Sequence, residues 1–227
     1  MAQAAGTRNW FAIWVSVAVV VVIALVIGLV VWMNNAATDP GTAPSGSGID
    51  QQTGAVVVGS GEQTLDVYLD FMCPICGQFE SVYGEEMVDL ANDGTVTLNI
   101  HPIAILDRAS QGTEFSTRSA NALYCVAESD PDAAVPFMQE MFAKQPEENS
   151  TGLTDEEILA IAKDAGVTDI DSCVADQTYA QFVTTMTPKT PLSPGQDRIG
   201  TPTIAVNGET IALSTLPPQG QFATLFD

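Results

Sequence analysis

Four cysteines and a single histidine are the soft, chemically reactive side chains of this 227-residue chain. Two of the cysteines stand close together, in the stretch CPICG at residues 73–77. Thiols at this spacing can grip half of a tetrahedral zinc site, or cycle between dithiol and disulfide. A structural zinc site needs four ligands. Only Cys125, Cys173 and His101 remain to complete one, neither cysteine belongs to a second CxxC, and there is no HxxxH. A zinc knuckle also belongs on a turn between strands, whereas CPIC opens an amphipathic stretch with Phe79, Val82, Tyr83 and Met87 on one face. The redox reading has a mechanism. A thiol at a helix N-terminus meets unpaired N–H groups and the positive end of the helix dipole, which favour thiolate. Cys73 would be the nucleophile and leaving group, and Cys76, one turn inward, would resolve the mixed disulfide. A purely structural Cys73–Cys76 bridge is the third reading, and bridges this tight seldom serve only structure.

The elements that must hold this pair are legible around it. Thr64–Phe71 alternates, with Leu65, Val67, Leu69 and Phe71 facing one way and Asp66, Tyr68 and Asp70 the other, which predicts a strand ending just before Cys73. Pro74 suits the first position of a helix, where its missing N–H costs nothing, and the helix is expected to run to about Ala91. Ala55–Val58 and Val96–Ile103 read as further strands. Four apolar stripes at helical spacing follow: Ala122, Cys125 and Val126; Phe137, Met138, Met141 and Phe142; Ile158, Ile161, Ala162 and Ala165 behind a Thr154/Glu157 capping box; and Ala175, Tyr179, Phe182, Val183 and Met186. All are read as core. Pro202–Val206 and Glu209–Leu213, joined at Asn207–Gly208, predict a hairpin, and residues 218–226 a short closing helix. The order is β–β–α–β, a helical insert over about residues 113–187, then β–β–α. A CxxC that ends an early strand and opens a helix is the thioredoxin-like arrangement.

Phe11 to Met33 is an uncharged run rich in Val and Ile. As a helix it is about 34 Å long, enough for a hydrocarbon core of about 30 Å, with Trp10 and Trp32 at its ends. The run is too long for the apolar part of a signal peptide, lacks a clean cleavage site, and is followed by no cysteine for a lipid anchor. Arg8 precedes it and no basic residue follows until Arg108, so residues 1–10 are expected in the cytoplasm and the remainder outside. Residues 34–53, rich in Gly, Pro and Ser, read as a flexible tether, with the folded domain spanning residues 54–227. Arg8 is the one charged residue of the first 38. The rest of the chain therefore holds the 6 other basic residues and all 28 acidic ones, a net charge of −22. Such a surface repels nucleic acid and anionic lipid.

Taken together, DFMCPICGQFE and GTPTIAVNG (residues 200–208) resemble the DsbA-like thiol-disulfide oxidoreductases, in particular the single-span, envelope-facing ones of actinobacteria. The likeness covers roughly residues 55–227. It implies an α/β, thioredoxin-like fold with a helical insertion, preceded by a transmembrane helix. It also implies a cis Pro202 beside the dithiol, with the Thr201 backbone binding an extended substrate as an added strand. Pro74 and Ile75 would support the site from within the motif. The strongest oxidants of the family carry His at the position of Ile75, so a less oxidising disulfide is expected here. Relatives carry a buried acid six residues before the first Cys, where this chain has Val67. Asp70 is then the nearest carboxylate in sequence, with two readings: proton transfer to and from Cys76, or a hydrogen-bonded strand end. Some actinobacterial relatives place a second, structural disulfide on the helices of the insert. Cys125 and Cys173 are expected to form one, with free thiols or a second redox pair as the alternatives. His101 reads as a structural, hydrogen-bonded residue rather than a partner of the dithiol. All three tryptophans fall at or within the membrane segment.

The resemblance thus implies a membrane-anchored, extracytoplasmic enzyme that introduces disulfides into exported proteins and is reoxidised by a quinone-linked membrane partner of the VKOR or DsbB kind. No cofactor and no metal is expected. Two other functions stay open: a reductase or isomerase of exported proteins, for example in cytochrome c maturation, and a client-binding module with an idle disulfide.

Overall fold

A computed structural model describes residues 10–38 and 40–226. Residues 1–9, most of the expected cytoplasmic segment, lie outside the described residues, as do Asp39 and Asp227. The chain divides into two units, Met1–Asp39 and Pro40–Asp227. In the first, helix α1 (Trp10–Thr38) contains a candidate membrane span, Ile13–Val31, with mean hydropathy 3.1 and no residue buried. The helix continues five residues past the expected end of the span, into the stretch read as tether.

The second unit is built on a five-stranded sheet in the order β1-β3-β2-β4-β5. The strands are β1 (Val56–Val58), β2 (Gln63–Leu69), β3 (Val96–Pro102), β4 (Thr203–Val206) and β5 (Glu209–Ile211). β2 runs parallel to β3 (Leu65↔Leu98, Leu69↔Pro102) and antiparallel to β4 (Leu65↔Val206, Tyr68↔Thr203). The alternation of β2 buries Leu65, Val67 and Leu69. Helix α2 (Pro74–Asn92) lays Phe79, Met87 and Leu90 into the core. It stops at Gly94, whose φ of 82° and the Thr95 N–H to Leu90 carbonyl bond (3.0 Å) close its end. The β4–β5 turn is Asn207–Gly208, both at positive φ, the pairing a tight hairpin favours.

Between β3 and β4 stand α3 (Phe115–Ser129), α4 (Ala134–Ala143), α5 (Asp155–Asp164), α6 (Asp171–Ala175) and α7 (Ala180–Met186). α3 is buried along nearly its whole length and forms the centre of this layer. The capping box opens α5: the Thr154 hydroxyl accepts from the Glu157 N–H, and the Glu157 carboxylate from the Thr154 N–H. The fourth apolar stripe is two short helices rather than one. A left-handed residue, Gln177 (φ 50°), breaks it, and the buried Asn121 of α3 receives the Tyr179 N–H at 2.7 Å. The closing helix is reduced to a 3-10 turn, Phe222–Phe226, because Pro217, Pro218 and Gly220 precede it and Glu86 takes the Gly220 and Phe222 N–H groups.

The expected tether differs most from expectation. Residues 44–53 lie on the domain as a strap. Ile49 is buried and bridges Val56. Ser45 donates its N–H and its hydroxyl to Glu128 (3.0 and 2.6 Å). A Cβ on Gly46 would meet the Glu128 backbone at 2.8 Å. These small residues permit close approach to α3, where composition alone suggested freedom.

Candidate active site

β2 delivers Asp70 and the turn that follows it to the N-terminus of α2. The Cys73 N–H returns to the Asp70 carbonyl at 3.0 Å, and Cys73 becomes the N-cap with extended backbone (φ −80°, ψ 115°). Its side chain makes no capping hydrogen bond, and Pro74 occupies the first turn. The N–H groups of Cys76 and Gly77 both point at the Cys73 carbonyl (3.0 and 3.2 Å). Cys73 and Cys76 are separate thiols, both buried.

Thr201 and Pro202 arrive from the strand beside β2, joined by a cis peptide bond. The Cys73 thiol points to the Thr201 carbonyl (3.5 Å), and the Cys76 sulfur lies 2.9 Å from the Thr201 hydroxyl. That hydroxyl also donates to the Tyr68 carbonyl and accepts the Asp70 N–H, each at 3.2 Å. Its single proton can therefore turn either to the Tyr68 carbonyl or to a Cys76 thiolate.

The two thiols titrate in opposite directions. The Cys76 thiol, then the N–H groups of Cys76 and Ile75, hold Cys73 below the ordinary thiol range, against its partial burial. Burial pushes Cys76 well above that range, and the neighbouring Cys73 adds to the effect. Cys73 is thus the thiol available as thiolate.

Asp70 is fully buried. One carboxylate oxygen accepts the Met72 N–H, and the other the Ile105 and Leu106 N–H groups, all at 2.9 Å. Burial raises its pKa to about 6, with these bonds working the other way. The carboxylate fastens the loop after β3 to the cysteine turn, the geometry of the hydrogen-bonded strand end.

His101 lies elsewhere. Its Nε2 sits 2.9 Å from Asp66 Oδ1 and its ring stacks on Tyr68 (4.1 Å between centroids). Cys125 on α3 and Cys173 on α6 are joined by a disulfide, S–S 2.02 Å with Cα atoms 6.0 Å apart. Among the described residues no group of three or more His, Cys, Asp or Glu side chains is placed to hold a metal ion.

Ile75 is 53% exposed and faces a groove of about 550 Å³, lined also by Pro194, Ile199, Thr201, Pro202 and Leu213. Leu192, also exposed, precedes the Ser193–Pro194 part of this lining. Few large apolar side chains of the second unit are exposed, and two of them, Ile75 and Leu213, share this groove beside the cis proline.

Two side chains at the site carry no expectation from sequence. Gln145, just past α4, donates its amide to the carbonyls of Phe71 (2.9 Å) and Cys73 (2.8 Å), clamping the turn from outside. It is 72 residues from Cys73 in sequence and no local pattern marks it. Glu80 is a buried carboxyl one turn beyond Cys76. Its signal was its place on the apolar face of α2, beside Phe79.

A strand-ending CxxC at a helix N-terminus, facing a cis proline across a sheet of this order, defines a dithiol of the thioredoxin class. The profile of that family, described as "Thioredoxin", matches residues 53–219. The chain belongs to this family, as a DsbA-like thiol-disulfide oxidoreductase. It is 30% identical to the oxidised DsbA of Mycobacterium tuberculosis, over 71% of this chain and 86% of that one, with a TM-score of 0.63. MdbA of Actinomyces oris, a thiol-disulfide oxidoreductase, is 26% identical over 81% of this chain and 90% of its own, again with a TM-score of 0.63. Among curated proteins, the serine/threonine-protein kinase PknE of Mycobacterium tuberculosis is 32% identical over 107 residues. That match takes in 45% of this chain but only 19% of the kinase's length.

Proposed function

We propose that this chain is a membrane-anchored dithiol oxidase working outside the cytoplasm, which passes a Cys73–Cys76 disulfide to the cysteines of exported proteins. The observation that carries this reading is the placement of the pair: Cys73 caps the start of α2 and Cys76 lies fully buried one turn inward, both sulfurs facing Thr201 beside the cis proline. This arrangement lowers the pKa of Cys73 and raises that of Cys76. In the oxidised protein a client thiolate attacks Cys73 Sγ. The Cys73–Cys76 bond breaks, its electron pair leaves on Cys76 Sγ, and Cys76 takes up a proton. A second client thiolate then attacks the client sulfur, the client disulfide forms, and Cys73 departs as thiolate. A stabilised Cys73 thiolate is the better leaving group and favours the reduced enzyme, which is the oxidase direction.

The groove beside Pro202 suits an extended client segment, with the Thr201 backbone as its strand partner and Ile75, Ile199 and Leu213 as apolar contacts. Helix α1 supplies the anchor, with the N-terminus cytoplasmic. Reoxidation falls to a quinone-linked membrane partner of the VKOR or DsbB kind. Ile75 offers neither charge nor a side-chain hydrogen bond to the Cys73 thiolate, which makes a moderate oxidant.

The test is the reduction potential of Cys73–Cys76, by equilibrating the full chain in detergent with glutathione. The expected value lies between about −270 mV, the thioredoxin level, and about −120 mV, the level of a strong DsbA oxidant. A value at or below the lower figure would overturn the oxidase direction in favour of a reductase. A value at or above the upper one would overturn the role given to Ile75.

A further inference from the structure

Helix α2 carries a carboxyl that the exchange steps above leave unused. Glu80 is only 7% exposed, and neither of its oxygens has a hydrogen-bond partner. Gln139 faces it from α4 without closing a bond of good geometry. The carboxyl lies over Gly84, where an added Cβ would collide with Oε1. Buried polar groups in native proteins are nearly always paired, and an unpaired carboxylate is among the costliest to keep. Burial pushes its pKa up to about 7, with Gln139 working the other way, so its proton changes hands near neutrality.

Its surroundings connect it to the dithiol. Glu80 is four residues after Cys76, and helical side chains at that spacing are neighbours, with Cβ atoms about 5–6 Å apart. It lines a solvent-open cleft of about 270 Å³ between α2 and α4, together with Gly77, Ser81, Glu85, Gln139 and Phe142. Gly77 follows Cys76 directly, so the cleft begins one residue from the buried thiol. Its volume and its Glu80, Ser81, Glu85 and Gln139 side chains give room and partners for water. The other titratable group in the lining is Glu85. To this lining α4 contributes only neutral groups, and its one acid, Glu140, is paired with Lys144 at 2.8 Å. Asp70 is the contrasting carboxyl: three N–H donors hold it in place, whereas Glu80 has only Gln139 facing it, without a well-formed hydrogen bond.

We propose that Glu80 is the proton reservoir of Cys76, exchanging a proton with the buried thiol through water in the α2–α4 cleft. The proposal rests on the dithiol reading above. When a thiolate opens the Cys73–Cys76 disulfide, Cys76 leaves as thiolate and Glu80 gives it a proton, becoming carboxylate. In the reverse step the Cys76 thiol returns the proton to the Glu80 carboxylate. Its thiolate then attacks Cys73 Sγ of a mixed disulfide, and the bound partner leaves as thiolate with the electron pair. Glu80 re-equilibrates with solvent through the cleft.

The experiment is stopped-flow oxidation of the reduced full chain in detergent by glutathione disulfide, from pH 5 to 9. The first phase forms the Cys73–glutathione mixed disulfide, and the second is its displacement by Cys76. In the wild type the second phase should show an inflection near pH 7. Glu80→Gln should remove that inflection and slow the phase at least about tenfold at pH 7, less than the ~10²–10⁴ of general-base catalysis because buffer and hydroxide still compete. The first phase should be unchanged, and Asp70→Asn should keep the inflection. A second phase that keeps its inflection and stays within about twofold in Glu80→Gln would overturn the proposal. Absence of a second phase in the wild type would overturn the dithiol reading instead. Should Glu80→Gln fail to fold, carbon-13 NMR of Glu-labelled wild-type protein decides. A buried Glu titrating near pH 7 whose midpoint moves between the reduced and oxidised protein supports the reservoir, and one indifferent to the redox state of Cys76 overturns it.

Discussion

Cys73 and Cys76 lie within one turn of a single helix start and stand as separate thiols, whereas Cys125 and Cys173 lie 48 positions apart, on α3 and α6, and are bonded. The two pairs draw on different physics. Opening the distant pair would release a long loop, worth roughly 4 kcal/mol in the chain-entropy model. Opening the near pair releases almost no chain, so its equilibrium depends on what the freed thiols gain. There the Cys76 thiol and, after it, the helix N–H groups favour a Cys73 thiolate, while burial keeps the Cys76 proton on. A long loop makes a bond that endures. A short one leaves the bond to be tuned by local electrostatics.

The largest expected effect separates the pairs outright. Cys73→Ser should drop exchange with glutathione to background and leave thermal unfolding unchanged. Cys125→Ser combined with Cys173→Ser should do the reverse, keeping exchange within about twofold while losing about 2–4 kcal/mol in urea unfolding. Exchange lost in both variants would bring the second pair into the redox chemistry and dissolve the contrast.

The strap sharpens it next. A chain starting at residue 54 rather than 40 loses the burial of Ile49 and the Ser45–Glu128 bonds on α3. Burial of one aliphatic side chain contributes about 1.5–3 kcal/mol, and urea midpoints of the two chains should differ by that much. Equal midpoints would return residues 40–53 to the status of a tether.

The smallest effect concerns the near pair alone. Gln145→Ala removes two amide bonds to the cysteine turn, at about 1 kcal/mol each. It should slow exchange several-fold with the Cys125–Cys173 bridge untouched by alkylation and mass spectrometry. Unaltered exchange would show that the turn holds its shape without the clamp.

Much of the site was legible because its signals are local. CPICG, the alternation of β2 and the Thr201–Pro202 step each fit within a few residues, and each lies where the fold brings them together. Tertiary contacts defeated other readings. Gly46 looked like a flexible linker residue but is small because α3 passes against it. Tyr179 looked like the middle of a helix, yet Asn121, distant in sequence, supplies the partner that lets the chain break there. Gln145 has no local signature at all. Glu80 stood in plain view on an apolar helix face, where the periodicity that identifies a core also hides an acid within it.

The Cys125–Cys173 bridge also bears on how copies of the molecule come to exist. Both sulfurs are thiols when the chain is synthesised, and joining them removes two electrons and two protons. On the oxidase reading, the chain is therefore a customer for the same chemistry before it becomes a supplier of it. On that reading, each mature copy can finish the next. Supply is then self-priming: its rise depends on the copies already complete, and loss of the last mature molecule would be harder to repair than loss of the chain alone.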